Sequence, residues 1–338
     1  MKISRKRVIA SGAAAGAWSS IAFLRYPGEA AQFSFKLAND QTATHPMNVA
    51  TAAAVKRIQD ASNGQIEINV FANSALGSDP QMMTQIRSGA LELLQLGSNI
   101  LGSVVPAAAF LTLPFAFQSS KELLSSSNGP LGAYIAAACE RIGIRKFQNG
   151  FYGGTFQMQN RLRPINVPGD LRGIKMRVPP GPIDVATFKA FDAAPTVISL
   201  AEVYTSLQTH LVDGIEVPLP TVQNFKYYEQ VKFCSITNHS SLVYLMLANA
   251  AAWQKLPKNL QDILDKELGA AADAASTSMA SQEVTIEATL RGEGMEFNRP
   301  ATEPFRQIIR NSGLYAQWRD QYDPKGWDAL EKTTGKLA

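Results

Sequence analysis

Residues 33–71, FSFKLANDQTATHPMNVATAAAVKRIQDASNGQIEINVF, indicate the class of fold most clearly. Apolar and polar residues alternate over Phe33–Ala38 and again over Ile66–Phe71, and this period of two predicts a β-strand at each end. Residues 46–62 instead show helical spacing, and Asn63-Gly64 is a typical helix stop. A strand, a helix and a strand in this order predict two parallel strands covered by the helix, and therefore an α/β protein.

A second series of this kind lies in the middle of the chain. Ile174–Val178 alternates as a strand, and we expect a helix over 182–192, a strand near 195–198, a helix over 200–209 and a strand over 212–216. The chain therefore contains two α/β units. Further helices are expected over 80–89, twice within 120–142, over 258–293 and from Pro304 to about Ala329, and further strands over Leu91–Leu96 and Ile144–Gln148.

Residues 1–31 are typical of an export signal. Four basic residues between positions 2 and 7 precede a small and apolar run, Val8–Leu24, and Ala30-Ala31 provides a small-residue cleavage zone. A retained membrane anchor is the alternative, but the run is short and rich in Gly, Ala and Ser. The stretch Ser4–Ile9 weakly resembles a twin-arginine signal, so the export route stays open.

The net charge of +4 comes from this N-terminal segment. Without residues 1–31, 27 basic and 27 acidic residues remain, so the mature protein is close to neutral. The sequence has no stripe rich in Lys and Arg of the kind that would indicate a nucleic-acid partner. We expect a soluble exported protein.

The sequence offers little for catalysis, metal binding or cofactor binding. It has no phosphate-binding loop and no serine elbow, and its three histidines have no metal-ligand spacing. Cys234 and His239 could form a nucleophile and base, but a core cysteine and a surface histidine are the preferred interpretation. Glu202 and Glu216 could serve acid–base chemistry, although structural roles are preferred for both. Cys139 and Cys234 could pair, but we expect each to be a small buried hydrophobic residue.

Two α/β units on an exported chain without a cofactor indicate a two-lobed binding protein. Its ligand would lie in the cleft between the lobes, where the carboxyl ends of the strands converge.

Residues 163–179, RPINVPGDLRGIKMRVP, resemble the signature of the solute-binding proteins of TRAP transporters, the DctP family. Other blocks in the same order support the resemblance across nearly the whole mature chain. They are Gln65–Phe71, Leu76–Asp79, Leu113–Phe115, Ala194–Thr196, Glu202–Thr209, Val212–Pro218 and Lys226–Glu229.

The resemblance implies a periplasmic receptor that closes around an organic acid and delivers it to a membrane permease driven by an ion gradient. It also implies a periplasmic binding protein fold of two α/β lobes with a long helix spanning both. We assign residues 32–154 plus about 243–282 to lobe I, and about 155–242 plus 283–338 to lobe II. Hinges are expected near Gly153-Gly154 and around residues 240–245. The family needs no cofactor.

Arg177 matches the arginine with which this family holds a carboxylate. A guanidinium can hold both carboxylate oxygens with parallel hydrogen bonds. A structural ion pair at the strand end is the alternative. Arg161, Arg163 and Arg172 are expected to be solvated or turn residues.

The sequence departs from the family pattern at two ligand contacts. Phe156 stands near a position where many relatives carry a second arginine, and Val217 stands where they carry an asparagine. A second carboxylate on the ligand would therefore be buried without a partner, which is costly. We infer a monocarboxylate, with Phe156, Val217 and Leu200 forming an apolar wall.

A sugar acid would also need polar partners for its hydroxyl groups. The expected ones, placed from matching blocks, are Asn39, Gln81, Ser98 and Asn99, with Gln157 as a further contact. His45 could face the cleft or lie in a surface loop.

Two other functions stay open at this point. A sensory protein that presents a carboxylate to a membrane receptor would look the same, and an exported enzyme acting on a carboxylate is the minority hypothesis. The C-terminal helices could mediate a homodimer.

Overall fold

The computed structural model describes residues 31–337, so nearly all of the predicted export signal, residues 1–31, lies outside the described residues. Within that described part, none of the helices combines the length and the apolar character needed to cross a membrane.

The strands form one hydrogen-bonded sheet in the order β2-β1-β3-β8-β4-β7-β5-β6, with β9 added beside β8. Strands β1 to β3 are parallel to one another, and so are β5 to β7. The strands are β1 (Phe33–Ala38), β2 (Ile66–Phe71), β3 (Leu93–Gly97), β4 (Ile144–Asn160), β5 (Lys175–Val178), β6 (Ala194–Val197), β7 (Gly214–Pro218), β8 (Phe233–Asn249) and β9 (Glu296–Asn298).

The two long strands β4 and β8, 17 residues each, connect the two parallel groups. The C-terminal part of β8, residues 244–248, pairs with β3. The C-terminal part of β4, residues 156–160, pairs with β7. Their mutual pairing shifts register three times, once between Tyr152 and Gly154. The sequence predicted β4 only as far as Gln148 and did not predict β8, because bulges and burial on both faces remove the simple alternation.

Helices cover the sheet, and three short ones were not predicted: α3, α8 and α9. The helices are α1 (Pro46–Ala61), α2 (Asp79–Ser88), α3 (Ser98–Leu101), α4 (Ser120–Asn128), α5 (Pro130–Glu140), α6 (Pro182–Ala190), α7 (Val203–Gln208), α8 (Leu219–Asn224), α9 (Ala250–Gln254), α10 (Lys258–Gly292), α11 (Glu303–Asn311), α12 (Leu314–Tyr322) and α13 (Pro324–Thr334).

The 35-residue helix α10 spans both halves of the molecule, one built on strands β1–β3 and the other on strands β5–β7. Leu260 and Leu268, near its start, share a hydrophobic cluster with Ile58 of α1. Ile286 and Leu290, near its end, belong to another cluster, which contains residues of β7 and α8. The spanning helix that the family resemblance implied is therefore present.

The C-terminal helices pack beneath both halves. The largest hydrophobic cluster joins Leu96 of β3 and Met176 of β5 with Trp327 of α13. The Trp327 ring lies edge-on to Phe110 at 5.4 Å. The predicted division into lobes places Trp327 in lobe II and Phe110 in lobe I, so α13 packs against the predicted lobe I. The exact division stays a prediction.

Candidate ligand-binding site

A cavity lies where the carboxyl ends of β1, β3, β5 and β7 meet, and it holds about 410 Å³ of space free of protein atoms. Every residue of its wall is buried. The polar lining residues are Asp40, Gln41, Asp79, Asn99, Arg177, Thr221 and Tyr244. The others are Gly97, Ile100, Phe156, Pro179, Leu200, Val217, Pro218 and Leu242. Both parallel groups contribute, as expected for a cleft at the carboxyl edges of two α/β units.

Arg177 of β5 forms the cationic part of the wall. The residue is 3% exposed, and its Nε donates a hydrogen bond to the carbonyl oxygen of Ile198 at 2.8 Å. Burial lowers the pKa of the guanidinium, and nearby acidic side chains, Glu216 among them, counteract this. No ion pair within residues 31–337 includes Arg177, so no described carboxylate lies within 4.0 Å of its nitrogen atoms. The guanidinium therefore retains donors for a ligand.

An apolar surface lies beside this cation. Phe156 of β4 and Val217 of β7 line the cavity, and Leu200 precedes α7 in the same wall. All three are buried, and the Leu200 carbonyl accepts a hydrogen bond from the Tyr227 hydroxyl at 3.4 Å. The predicted apolar wall residues are thus brought together with Arg177.

Two carboxyl groups from the other half of the molecule lie in the same wall. Asp40 follows β1 and Asp79 is the first residue of α2. Burial raises the pKa of Asp40 to about 6, and burial together with the neighbouring Asp40 raises the pKa of Asp79. Gln41 Nε2 donates to Asp40 Oδ1 at 3.2 Å and to the Tyr244 hydroxyl at 2.5 Å, which holds Asp40 in place.

A second buried group of titratable side chains lies close to Arg177. Glu216 Oε2 is 2.9 Å from His239 Nε2, and His239 Nδ1 contacts the Thr237 hydroxyl at 2.7 Å. Burial lowers the pKa of His239 to about 4 and raises those of Glu216 and Asp184. Burial therefore opposes a charge on either partner of this contact.

Two of the expected polar contacts lie outside the cavity wall, and their side chains form hydrogen bonds within the protein. Asn39 is fully buried, and its Nδ2 donates to Asn48 Oδ1 at 2.7 Å and to Gln95 Oε1 at 2.9 Å. Gln81 is exposed, and its Oε1 accepts from the backbone amide of Ser78 at 2.8 Å, which completes the start of α2.

Ser98 and Gln157 are also absent from the wall, while Asn99 is part of it. Ser98 is fully buried at the start of α3. Gln157 pairs with Asn238 of β8, since its Nε2 donates to Asn238 Oδ1 at 2.7 Å and its Oε1 accepts from the Asn238 amide at 3.0 Å. This pairing occupies the polar atoms of Gln157 at a bulge between the long strands.

The predictions of surface positions for His45 and His239 are wrong. His45 is 1% exposed rather than in a surface loop, and its Nδ1 accepts from the Met47 amide at the start of α1. Burial lowers its pKa to about 4. His239 is not a surface residue, because it is buried against Glu216.

The sequence predicted that Cys139 and Cys234 are buried hydrophobic residues and that Glu202 and Glu216 have structural roles. Cys139 and Cys234 are both buried and free. Glu202 is exposed, whereas Glu216 is buried in β7, so the two do not share one environment.

Sequence reasoning missed Asp40, Asp79 and Tyr244. Asp40 immediately follows the expected Asn39, and Asp79 lies two residues before the expected Gln81. The available signal was their position at the carboxyl end of β1 and at the start of α2, where ligands of α/β proteins bind. Tyr244 lies in β8, which was not predicted.

A cavity between two α/β units, with a buried cation facing ligand space, defines the class of two-lobed solute receptors. The model of the DctP family, bacterial extracellular solute-binding protein family 7, matches residues 37–319, and the chain belongs to this family. The predicted family, fold class and receptor role are confirmed.

Two binding proteins are similar to this chain in sequence. The chain is 29% identical over 257 residues to the sialic acid-binding periplasmic protein SiaP of Vibrio cholerae, with 75% of this chain and 78% of that protein covered. It is 28% identical over 304 residues to the 2,3-diketo-L-gulonate-binding periplasmic protein YiaO of Escherichia coli, with 88% and 90% covered. These relatives are named as binding proteins, not as enzymes.

Solved structures share the fold. A TRAP periplasmic solute-binding protein from Xanthobacter autotrophicus Py2, solved with bound β-D-galacturonate, is 26% identical and superposes with a TM-score of 0.83 over 90% of this chain and all of that chain. A protein of the same description from Sulfitobacter, also with β-D-galacturonate, gives a TM-score of 0.85 at 23% identity over the same shares.

Proposed function

We propose that this protein is a periplasmic receptor that binds a small organic monocarboxylate, with sugar acids as the leading class, and delivers it to a TRAP permease. The observation that carries the proposal is the buried guanidinium of Arg177, which lines the cavity without an acidic partner among the described residues.

A ligand carboxylate would complete the surroundings of Arg177. Its Nε is already used by Ile198, so the remaining nitrogen donors would hold the ligand. A charge-assisted hydrogen bond contributes about 1.5–3 kcal/mol, and the low dielectric constant of a buried cavity strengthens it. The same contact fixes the orientation of the ligand.

The apolar wall supports one carboxylate rather than two. Phe156 and Val217 offer no donor, so a second carboxylate beside them would lose its hydration without compensation. The aromatic face of Phe156 can instead pack against C–H groups of a sugar ring. The named ligands of the relatives, sialic acid, 2,3-diketo-L-gulonate and galacturonate, are sugar acids and support this class.

Transport would require closure of the lobes and recognition of the closed form by the permease. The register shift at Tyr152 and Gly154, where β4 passes between the halves, supports the proposed hinge. Export would use the predicted signal over residues 1–31, cleaved near residue 30.

Isothermal titration calorimetry with a panel of uronic, aldonic and simple carboxylic acids tests the proposal. We expect saturable 1:1 binding of a monocarboxylate, reduced at least 100-fold in Arg177→Ala and not in Arg172→Ala. Arg172 is the matched control because it is an exposed arginine on the same half of the chain, paired with Asp192. Unreduced affinity in Arg177→Ala, or no saturable binding by the wild type, would count against the proposal.

A further inference from the structure

We propose that Ser276 and Glu283 of α10 form a strap across the hinge segment of β4, residues 152–155, and that this strap limits how far the two halves of the molecule open. The inference rests on the hinge that the proposed function includes, but it depends on no particular ligand.

The hinge segment has a strand on one side only. β7 pairs with β4 only over residues 156–160, so the part of β4 before Phe156 pairs with β8 alone. The pairing with β8 shifts register between Tyr152 and Gly154, and Gly154 has a φ of +106°. Backbone amides along such an open edge need other acceptors when they are buried. Side chains of α10 provide these acceptors.

The strap contacts the strand on both sides of a glycine pair. Ser276 Oγ accepts a hydrogen bond from the Tyr152 amide at 2.9 Å, and Glu283 Oε1 accepts one from the Thr155 amide at 2.5 Å. Glu283 Oε2 also accepts from the Tyr152 hydroxyl at 2.6 Å, and this hydroxyl lies 2.6 Å from the Thr155 hydroxyl. The predicted lobe boundary at residue 154 separates Tyr152 from Thr155, so the strap holds both predicted lobes.

The spacing of the helix matches the spacing of the strand. Ser276 and Glu283 are seven residues apart, which is two turns on one helix face and about 10 Å along the axis. Tyr152 and Thr155 are three residues apart, which is also about 10 Å in an extended strand. Rotation about the two glycines would change the separation of the amides but not that of the helix side chains. Opening of the hinge therefore has to break one of these hydrogen bonds.

The open strand edge alone does not account for Glu283. A single hydroxyl is enough for the Tyr152 amide, whereas Glu283 places a carboxylate that also holds the Tyr152 side chain. One carboxylate thus joins residues on both sides of the glycine pair. It also lies against the hinge itself, because an added Cβ on Gly154 would be 3.2 Å from Glu283 Oε1.

Distance measurements on the ligand-free protein test this role. Nitroxide labels would be attached through Thr84→Cys in α2 and Glu202→Cys before α7, two exposed positions on elements that line the cavity from opposite halves. Double electron–electron resonance would then compare the labelled protein with the same protein carrying Glu283→Ala, Tyr152→Phe or the control Glu293→Gln. Glu293 is an exposed acid directly after the end of α10.

We expect the mean distance between the labels to increase by about 5 Å or more in Glu283→Ala. A smaller increase is expected in Tyr152→Phe, which keeps the contact with the Thr155 amide, and none in Glu293→Gln. Distances that are unchanged or shorter in both Glu283→Ala and Tyr152→Phe would overturn the inference, even if thermal unfolding showed both variants to be less stable. A merely structural contact lowers stability without changing the opening. If Glu283→Ala does not fold, Tyr152→Phe decides.

The measurement needs no bound acid, so it can fail independently of the proposed function. Unchanged distances in a protein that binds an acid would contradict the strap alone. Failure of every acid in the calorimetric panel to bind would contradict the proposed function and leave the distance measurement as the test of the strap.

Discussion

Glu216 Oε2 lies 2.9 Å from His239 Nε2, and the two side chains are 2% and 1% exposed. Burial opposes charge on both groups, which raises the pKa of Glu216 and lowers that of His239 to about 4. Burial therefore favours a neutral form of this hydrogen-bonded pair, while the nearby Arg177 favours the ionised form of Glu216.

Substitutions of Glu216 should distinguish a neutral pair from an ion pair. Glu216→Gln keeps a donor for His239, so we expect a loss of less than about 1 kcal/mol in the free energy of unfolding. Glu216→Ala leaves His239 unpaired and opens a space, at a cost of about 2–4 kcal/mol. Urea unfolding measures both. Equal losses in the two variants would indicate an ion pair instead.

Asp40 should make the ligand-free protein less stable at neutral pH. Its folded pKa of about 6 lies above the ordinary value of 3.8, so the folded state binds more protons between these values. Its contribution to stability is thus present below about pH 4 and is lost as the pH rises to 6. Asp40→Asn should gain little at pH 4 and up to about 3 kcal/mol at pH 7.

Denaturant unfolding of the wild type and Asp40→Asn across pH 4–7 gives this difference directly. Contributions from His45 and His239 are common to both proteins and cancel. The contribution of Asp79 changes in the same direction, because Asp40 raises the pKa of Asp79. A difference that does not grow with pH would show that Asp40 is not buried in its ionised form.

Gly154 should be intolerant of a side chain. Its φ is +106°, and an added Cβ would lie 2.6 Å from Cβ of Pro218 in the cavity wall. Gly173 is the matched control, since its φ is +75° but an added Cβ meets no atom within 4 Å. Gly173→Ala should cost about 1–2 kcal/mol from backbone strain alone, and Gly154→Ala clearly more in a thermal unfolding comparison. Similar losses at both sites would exclude the close approach.

The two cysteines should be unreactive in the native protein. Both are buried and free, and burial raises the pKa of the Cys139 thiol to about 12 and also raises that of Cys234. Because the thiolate is the reactive form, a thiol reagent should label neither residue under native conditions and two per chain in guanidinium chloride. A count of zero after denaturation would reveal a disulfide.

Much of the fold was predictable because its strands and helices have a clear period. The parallel strands around Phe33–Ala38 and Ile174–Val178 alternate in sequence, and α10 has almost no helix breakers. Strand β8 was missed because its pattern depends on pairing with β4, which lies far away in sequence. Tertiary pairing of this kind overrides local propensity.

The site residues were predictable where the family resemblance identified a position. They were less predictable where the orientation of a side chain determines whether it faces the cavity. Arg177, Phe156, Val217, Leu200 and Asn99 all line the cavity. On the opposite side the expected residues were displaced by one or two positions from the lining acids. In an extended chain, neighbouring residues place their side chains on opposite faces. The sequence alone does not define which of two neighbours faces the cavity.

A crystal structure of the protein with a bound acid would show which side chain holds the ligand carboxylate. We predict that both oxygens of the ligand carboxylate lie within about 3 Å of the Arg177 guanidinium nitrogens, the usual length of a charge-assisted hydrogen bond. A ligand carboxylate bound elsewhere in the cavity, with Arg177 paired instead to Asp184 or Glu216, would show that Arg177 does not hold the ligand.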